Sequence, residues 1–204
     1  MEIQRIDTYT DKRFSLKVLY QHGCFLVDGN PFEVEIISDY EAVIRGKDAD
    51  AYMEVIDNFC FYTPHITKFY NTDGGVVKEY PRAQLLTVPL EQIQPSQFLV
   101  DRDKIAAVST FIDEAKDIVI QVLPFEGKYI SLDGHTRLYF AVMKGWNHVR
   151  AVTESSDDWI YRFVGEAKKR GVHSPKDLVP VCHDEYEVKW NRFCDELFAE
   201  SQGD

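Results

Sequence analysis

The chain is short of paired cysteines, of long apolar runs and of positive charge. Its four cysteines, Cys24, Cys60, Cys182 and Cys194, form no CxxC pair. Scattered cysteines without an export signal are ordinarily reduced and packed, so no disulfide framework is expected. A zinc site from Cys182, His183 and Cys194 would match no standard ligand spacing, and no residue is assigned as a metal ligand. No apolar run approaches the roughly 20 residues that span a bilayer. The stretch MEIQRIDTYTDKRF lacks the apolar core of a signal peptide. The expectation is a cytoplasmic protein with no membrane partner. Internal repeats and low-complexity tracts are also missing. The net charge of −11 divides into −5 over residues 1–84, −2 over 85–154 and −4 over 155–204, so no segment is basic. Sequence-independent affinity for nucleic acid comes mainly from Lys and Arg neutralising phosphates. A nucleic-acid-binding or nuclease role therefore starts from a poor position.

What is present is enough apolar material for a sizeable core, 45% of residues. RFSLKVLYQ reads as a strand, FLVDGNPFEVEIIS as a hairpin around Asp28-Gly29, and EAVIRG as a further strand. DADAYMEVIDNFCFYTPHITKFYN carries helical spacing, with Pro64 kinking or restarting the helix. Residues 1–84 are thus expected to be a small antiparallel sheet with a helix, ending in a joint at NTDGGVVKEYPRAQ. Beyond it, LLTVPLEQI reads as a strand bent at Pro89. DRDKIAAVSTFIDEAK reads as a helix capped by Asp101. DIVIQVLPF reads as a strand buried on both faces, and GKYISLD as another strand. HTRLYFAVMKG reads as a helix closed by Gly145, and NHVRAVTE as a last strand. Residues 155–204 read as two amphipathic helices, DDWIYRFVGEAKKRG and HDEYEVKWNRFCDELFAE, forming a cap with Trp159 and Trp190 in the core. The fold class is α+β, a mixed arrangement of sheet and helices.

One corner holds more chemistry than a turn requires. In YISLDGHTRLYFAVMKGW, Asp133, Gly134, His135, Thr136 and Arg137 lie where a strand gives way to a helix. A helix start offers free amide hydrogens and the positive end of the dipole, which attract phosphates. Gly134 allows close backbone approach, Thr136 adds a hydroxyl, and Arg137 offers a forked donor. Asp133 can cap the helix, bind a cation or take a proton, and His135 titrates near neutrality. The plainer reading is a cap, a turn and three solvated side chains. Among the other histidines, His22 reads as a strand end and His65 as a helix kink. HDEYE, residues 183–187, reads as acids at a helix start.

The stretches VPLEQIQPSQFLVDRDKI and IVIQVLPFEGKYISLDGHTRLYFAVMKGWNHVRAVTE resemble the ParB N-terminal domain and sulfiredoxin superfamily over residues 85–154. The order of elements and the Gly-x-x-Arg corner carry the likeness, and the DGH-x-R form is most similar to the free serine kinase branch. The resemblance implies a nucleotide-binding core with an added N-terminal sheet and a C-terminal helical cap. It implies ATP, ADP or CTP with Mg2+, bound by Gly134, His135, Thr136, Arg137 and Gln97, with Asp133 and His135 as the catalytic candidates. The corner departs from its relatives in three ways. His135 stands where sulfiredoxins place a catalytic Cys. Thr136 replaces a second His. Gln97 falls where the kinase branch has a Glu base. Either Glu91, Asp101 or Asp133 then serves as base, or the chain does not perform that reaction. The functions implied are a magnesium-dependent phosphotransferase or nucleotide hydrolase acting on a small hydroxyl-bearing substrate, or a non-catalytic nucleotide-binding regulator with a protein partner.

Overall fold

Residues 1–201 are described by a computed structural model, and their architecture is α+β. The chain divides into two compact units, Met1–Leu85 and the remainder from Leu86.

The first unit is a six-stranded sheet in chain order: β1 (Ile3–Arg5), β2 (Cys24–Val27), β3 (Asn30–Ile36), β4 (Glu41–Gly46), β5 (Lys68–Tyr70) and β6 (Val76–Glu79). The β2–β3 hairpin turns at Asp28 and Gly29, both at positive φ (47° and 78°), the pairing that matches strand twist. Alternation puts Phe25, Phe32, Val34, Ala42 and Ile44 on one face. There they meet Val55, Ile56 and Phe59 of helix α2 (Tyr52–Tyr62). Each such side chain contributes on the order of 2 kcal/mol by leaving water. Cys24 points to the other face and packs with Phe14, Val18 and Leu19.

Three expectations need correction here. RFSLKVLYQ is not a strand but contains helix α1 (Leu16–Tyr20), started by the Ser15 hydroxyl accepting from the Val18 amide. The long helical run stops at Tyr62, because Thr63, forced out of helical geometry before Pro64, lies at φ −137°. The chain then enters β5, and the front of the joint turns the β5–β6 hairpin, where Asn71 Oδ1 accepts from the Asp73 and Gly75 amides, while the unit ends at Leu85 just after the joint's last residue. Because β4 and β5 run parallel across the α2 crossover, the sheet is mixed, not antiparallel.

The second unit centres on five strands in the order β7 (Leu86–Pro89), β12 (His148–Thr153), β10 (Val119–Phe125), β11 (Lys128–Ser131) and β8 (Ile93–Pro95). β8 runs parallel to β11 and β10 to β12, while β10–β11 and β7–β12 are antiparallel. On one face Ile120 and Val122 share a core with Leu138 and Ala141 of helix α4 (His135–Met143). On the other, Ile130 packs with Ile160 and Val164 of helix α5 (Trp159–Lys169). A separate parallel pair joins β9 (Leu99–Asp101) to β13 (Val179–Val181), two three-residue strands absent from the sequence reading.

β9 leads into helix α3 (Arg102–Val108), and β13 leads into α6 (His183–Tyr186). α3 is shorter than expected: the Ser109 and Thr110 hydroxyls donate to the Ala106 and Ala107 carbonyls at its end. β10 is buried on both faces only at its start, with Leu123 and Phe125 partly exposed. The last helix is interrupted: a π turn (Glu187–Asn191) separates α6 from α7 (Arg192–Ser201). Phe98, in the loop before β9, packs edge-on against Trp190 and Phe193. Trp159, expected in the core, is 36% exposed, although it lies against Phe163 and Phe198.

Candidate functional site

The corner between β11 and α4 is organised by Gly134. It is the helix cap at φ +83°, and being a glycine it brings no capping side chain. Asp133, expected at the cap, stands one residue before it. Its carboxylate accepts instead from Arg137 Nη2 at 3.0 Å, while Arg137 Nη1 donates to the Val119 carbonyl at 2.5 Å. A Cβ on Gly134 would lie 2.5 Å from Ile120 Cγ2. The glycine thus serves the turn and the helix-on-sheet packing rather than the approach of a ligand.

His135 also departs from its expected task. Its Nε2 lies 3.2 Å from the Ser96 amide and 3.0 Å from the Ser131 hydroxyl. The amide donates, so Nε2 accepts and the ring proton belongs on Nδ1. Burial lowers the pKa to about 4, and the ring is neutral at physiological pH. Ser96 Oγ also donates to the Ser131 carbonyl at 2.7 Å, so the three side chains lock the first turn of α4 to the loop after β8. This imidazole holds position and is not presented to solvent for acid–base work. Thr136 and Arg137 are half-buried at the same turn, and Asp133 is exposed.

Gln97 is buried, donating to the Leu99 carbonyl and to the Tyr186 hydroxyl. Tyr186 is buried on α6, and desolvation pushes its pKa up, with the charges of Asp101 and Asp133 adding to the shift. Asp101, 1% exposed, caps α3 by accepting from the Asp103 amide at 2.8 Å. Its second oxygen meets His183 Nδ1 at 2.8 Å, across 82 residues of chain. That hydrogen bond raises the His183 pKa above its ordinary value. Glu91, the remaining base candidate, is exposed in the turn between β7 and β8.

Asp101, Asp103 and His183 offer ligand atoms within 4.8 Å of one another, and this group includes neither Cys182 nor Cys194. At 2.8 Å, His183 Nδ1 and the Asp101 oxygen form a hydrogen-bonded pair, with Asp103 beside them. His22 ends α1 at φ 59°, with Nδ1 3.2 Å from Arg5 Nη1, and His65 is buried in the turn after α2. Both belong to the first unit. Sequence reading had missed Ser96, Ser131 and Tyr186, and had set His183 aside. The available signal was the pair of similar strand-to-helix entries, LVDRD and PVCHD.

No family model matches the chain, and no curated protein matches it. Among solved structures it is similar to the crystal structure of protein Atu1540 from Agrobacterium tumefaciens, at 14% identity and a TM-score of 0.35. That match covers 48% of this chain and 62% of the other, less than two thirds of its length. A likeness at this level carries no argument about activity. No described helix is long and apolar enough to cross a membrane.

Proposed function

We propose that the second unit binds a nucleotide, ATP, ADP or CTP with Mg2+, as a ParB and sulfiredoxin-like core would, with the phosphates at the start of α4. One observation carries this reading: α4 begins at a glycine, which brings no capping side chain, and the Arg137 guanidinium is drawn back beside its first turn. Helix-start amides and a forked cation in one place are what a phosphate requires. Arg137 keeps its Nη1 anchor on the Val119 carbonyl, so only its Nη2 partner needs to change, from Asp133 to phosphate. The displaced Asp133 carboxylate would repel the phosphates, and it is the residue that would hold Mg2+. Bound there, the ion would neutralise charge between carboxylate and phosphate. Thr136 adds a hydroxyl, while His135 and Gln97 fix the surrounding loops. The corner itself supports binding rather than proton transfer, because its imidazole is buried and its carboxylate is paired. That favours a nucleotide-binding regulator wherever no base is supplied from outside the corner.

Calorimetric titration with ATP, ADP and CTP, with and without Mg2+, tests the reading on wild type and Thr136→Glu. An acid in the first turn suits the helix dipole, so the variant folds at least as well while repelling phosphate. Saturable binding by wild type that weakens at least tenfold in Thr136→Glu supports the cradle. No binding of any of the three nucleotides overturns it.

A further inference from the structure

We propose that Asp101 and His183 form a general-base pair that activates water or a small alcohol for attack on the terminal phosphate of a nucleoside triphosphate held at α4. This rests on the nucleotide-binding reading and supplies the base that the α4 corner lacks.

The pair has a specific geometry. The Asp101 carboxylate is 1% exposed, and each of its oxygens has a fixed partner: the Asp103 amide on one, His183 Nδ1 on the other, both at 2.8 Å. The His183 side chain is 53% exposed, and Nε2 has no hydrogen-bond partner among the described residues. A carboxylate on Nδ1 fixes the tautomer whose Nε2 lone pair points outward, and it stabilises the imidazolium that forms on proton uptake. Backbone pairing holds both residues: β9 and β13 are parallel, with Asp101 opposite Val181, two residues before His183.

Position supports the assignment. Tyr186, one turn beyond His183, accepts from Gln97, and the neighbouring Ser96 amide donates to His135 Nε2 in the first turn of α4. A continuous run of hydrogen-bonded residues therefore joins the pair to the start of α4. The charges facing His183 are Asp101 and Asp103, and Glu187 from the π turn. Lys104 of α3 lies over the Tyr186 ring at 5.1 Å.

In the proposed step Nε2 takes the proton of the attacking O–H. The oxygen forms a bond to the terminal phosphorus as the bond from phosphorus to the bridging oxygen breaks. The nucleoside diphosphate leaves with that electron pair. With water as acceptor the other product is inorganic phosphate.

The test is phosphate release from ATP and CTP with Mg2+, using wild type, His183→Gln and Asp101→Asn. Asn keeps the α3 cap but donates an N–H to Nδ1, which forces the ring proton onto Nε2. The expected result is a kcat loss of about 10²–10⁴-fold in both variants with KM nearly unchanged. Wild-type kcat rises with pH through a midpoint above about 6.5, and that limb vanishes in His183→Gln. Tryptophan fluorescence and circular dichroism verify folding, and the exposed His183→Gln change keeps the test valid if Asp101→Asn unfolds. Nucleotide binding without turnover in wild type overturns the base pair and leaves the cradle standing. Unchanged turnover in His183→Gln also overturns it. Absence of nucleotide binding overturns the cradle, and the base pair with it.

Discussion

Gly134→Ala isolates the contact that sets α4 on the sheet. At φ +83° an alanine is strained, at roughly 1–2 kcal/mol for a left-handed residue with a Cβ. The added carbon would also stand 2.5 Å from Ile120 Cγ2 and 3.2 Å from its Cβ, in a closely packed core. Overpacking of that kind costs about 1–3 kcal/mol, so the expected loss is about 2–5 kcal/mol. Ile120→Ala removes the clashing atom and by itself costs about 2–5 kcal/mol. The double variant should then be less destabilised than the sum of the two by about 1–3 kcal/mol, because the clash is gone while the backbone strain stays. Urea unfolding followed by tryptophan fluorescence measures this cleanly. Trp146, Trp159 and Trp190 all lie in the second unit, so the signal is blind to the first. A Gly134→Ala protein within about 0.5 kcal/mol of wild type, or strict additivity in the double variant, would refute the reasoning.

Three further outcomes follow from the same corners. His135 titrates near 4 when folded and near 6.5 when unfolded, so the unfolded chain takes up the proton first. Its contribution is complete above about pH 6.5 and falls by up to about 3 kcal/mol as the pH drops toward 4. His135→Gln should flatten that part of the stability profile relative to wild type, as read from urea midpoints at pH 7 and 4.5. Tyr186→Phe should cost about 1 kcal/mol, because the Gln97 amide loses its partner in a buried site. The nitrogen resonances of His183 should titrate above the ordinary histidine value in wild type and move back down in Asp101→Asn, where the carboxylate that raises them is gone. An unmoved resonance would contradict the 2.8 Å bond between Asp101 and His183.

The elements legible in the sequence are those in which two independent signals agree. The Asp28-Gly29 hairpin combined turn residues with alternation. α4 combined helical spacing with a closing glycine at Gly145, which adopts φ +71°. α1 misled because five residues are too few to display a helical period, and Phe14, Leu16, Val18 and Tyr20 imitate a strand. In the structure Leu16 is 54% exposed while Val18 is fully buried, which alternation does not allow. β9 and β13 were invisible because three residues carry no pattern. The place of the DGHTR corner at a helix start was readable, but the partners of its side chains were not. An Asp before a helix reads as its cap, yet the left-handed Gly134 takes the cap position and sends the Asp133 carboxylate to Arg137. The Ser96–His135 contact joins residues 39 apart, and nothing local encodes it.

The β9–β13 pairing bears on the order in which the second unit is completed. Asp101 leaves the ribosome well before the segment that covers it, since His183 follows it by 82 residues. A nascent chain ending before residue 179 has the five-stranded sheet in hand but leaves the Asp101 carboxylate without its imidazole and Phe98 without Trp190. Distant pairings of this kind are the slow ones in folding. The segment from β13 to Trp190 therefore closes the unit late, and until it arrives Asp101 and Phe98 stand uncovered.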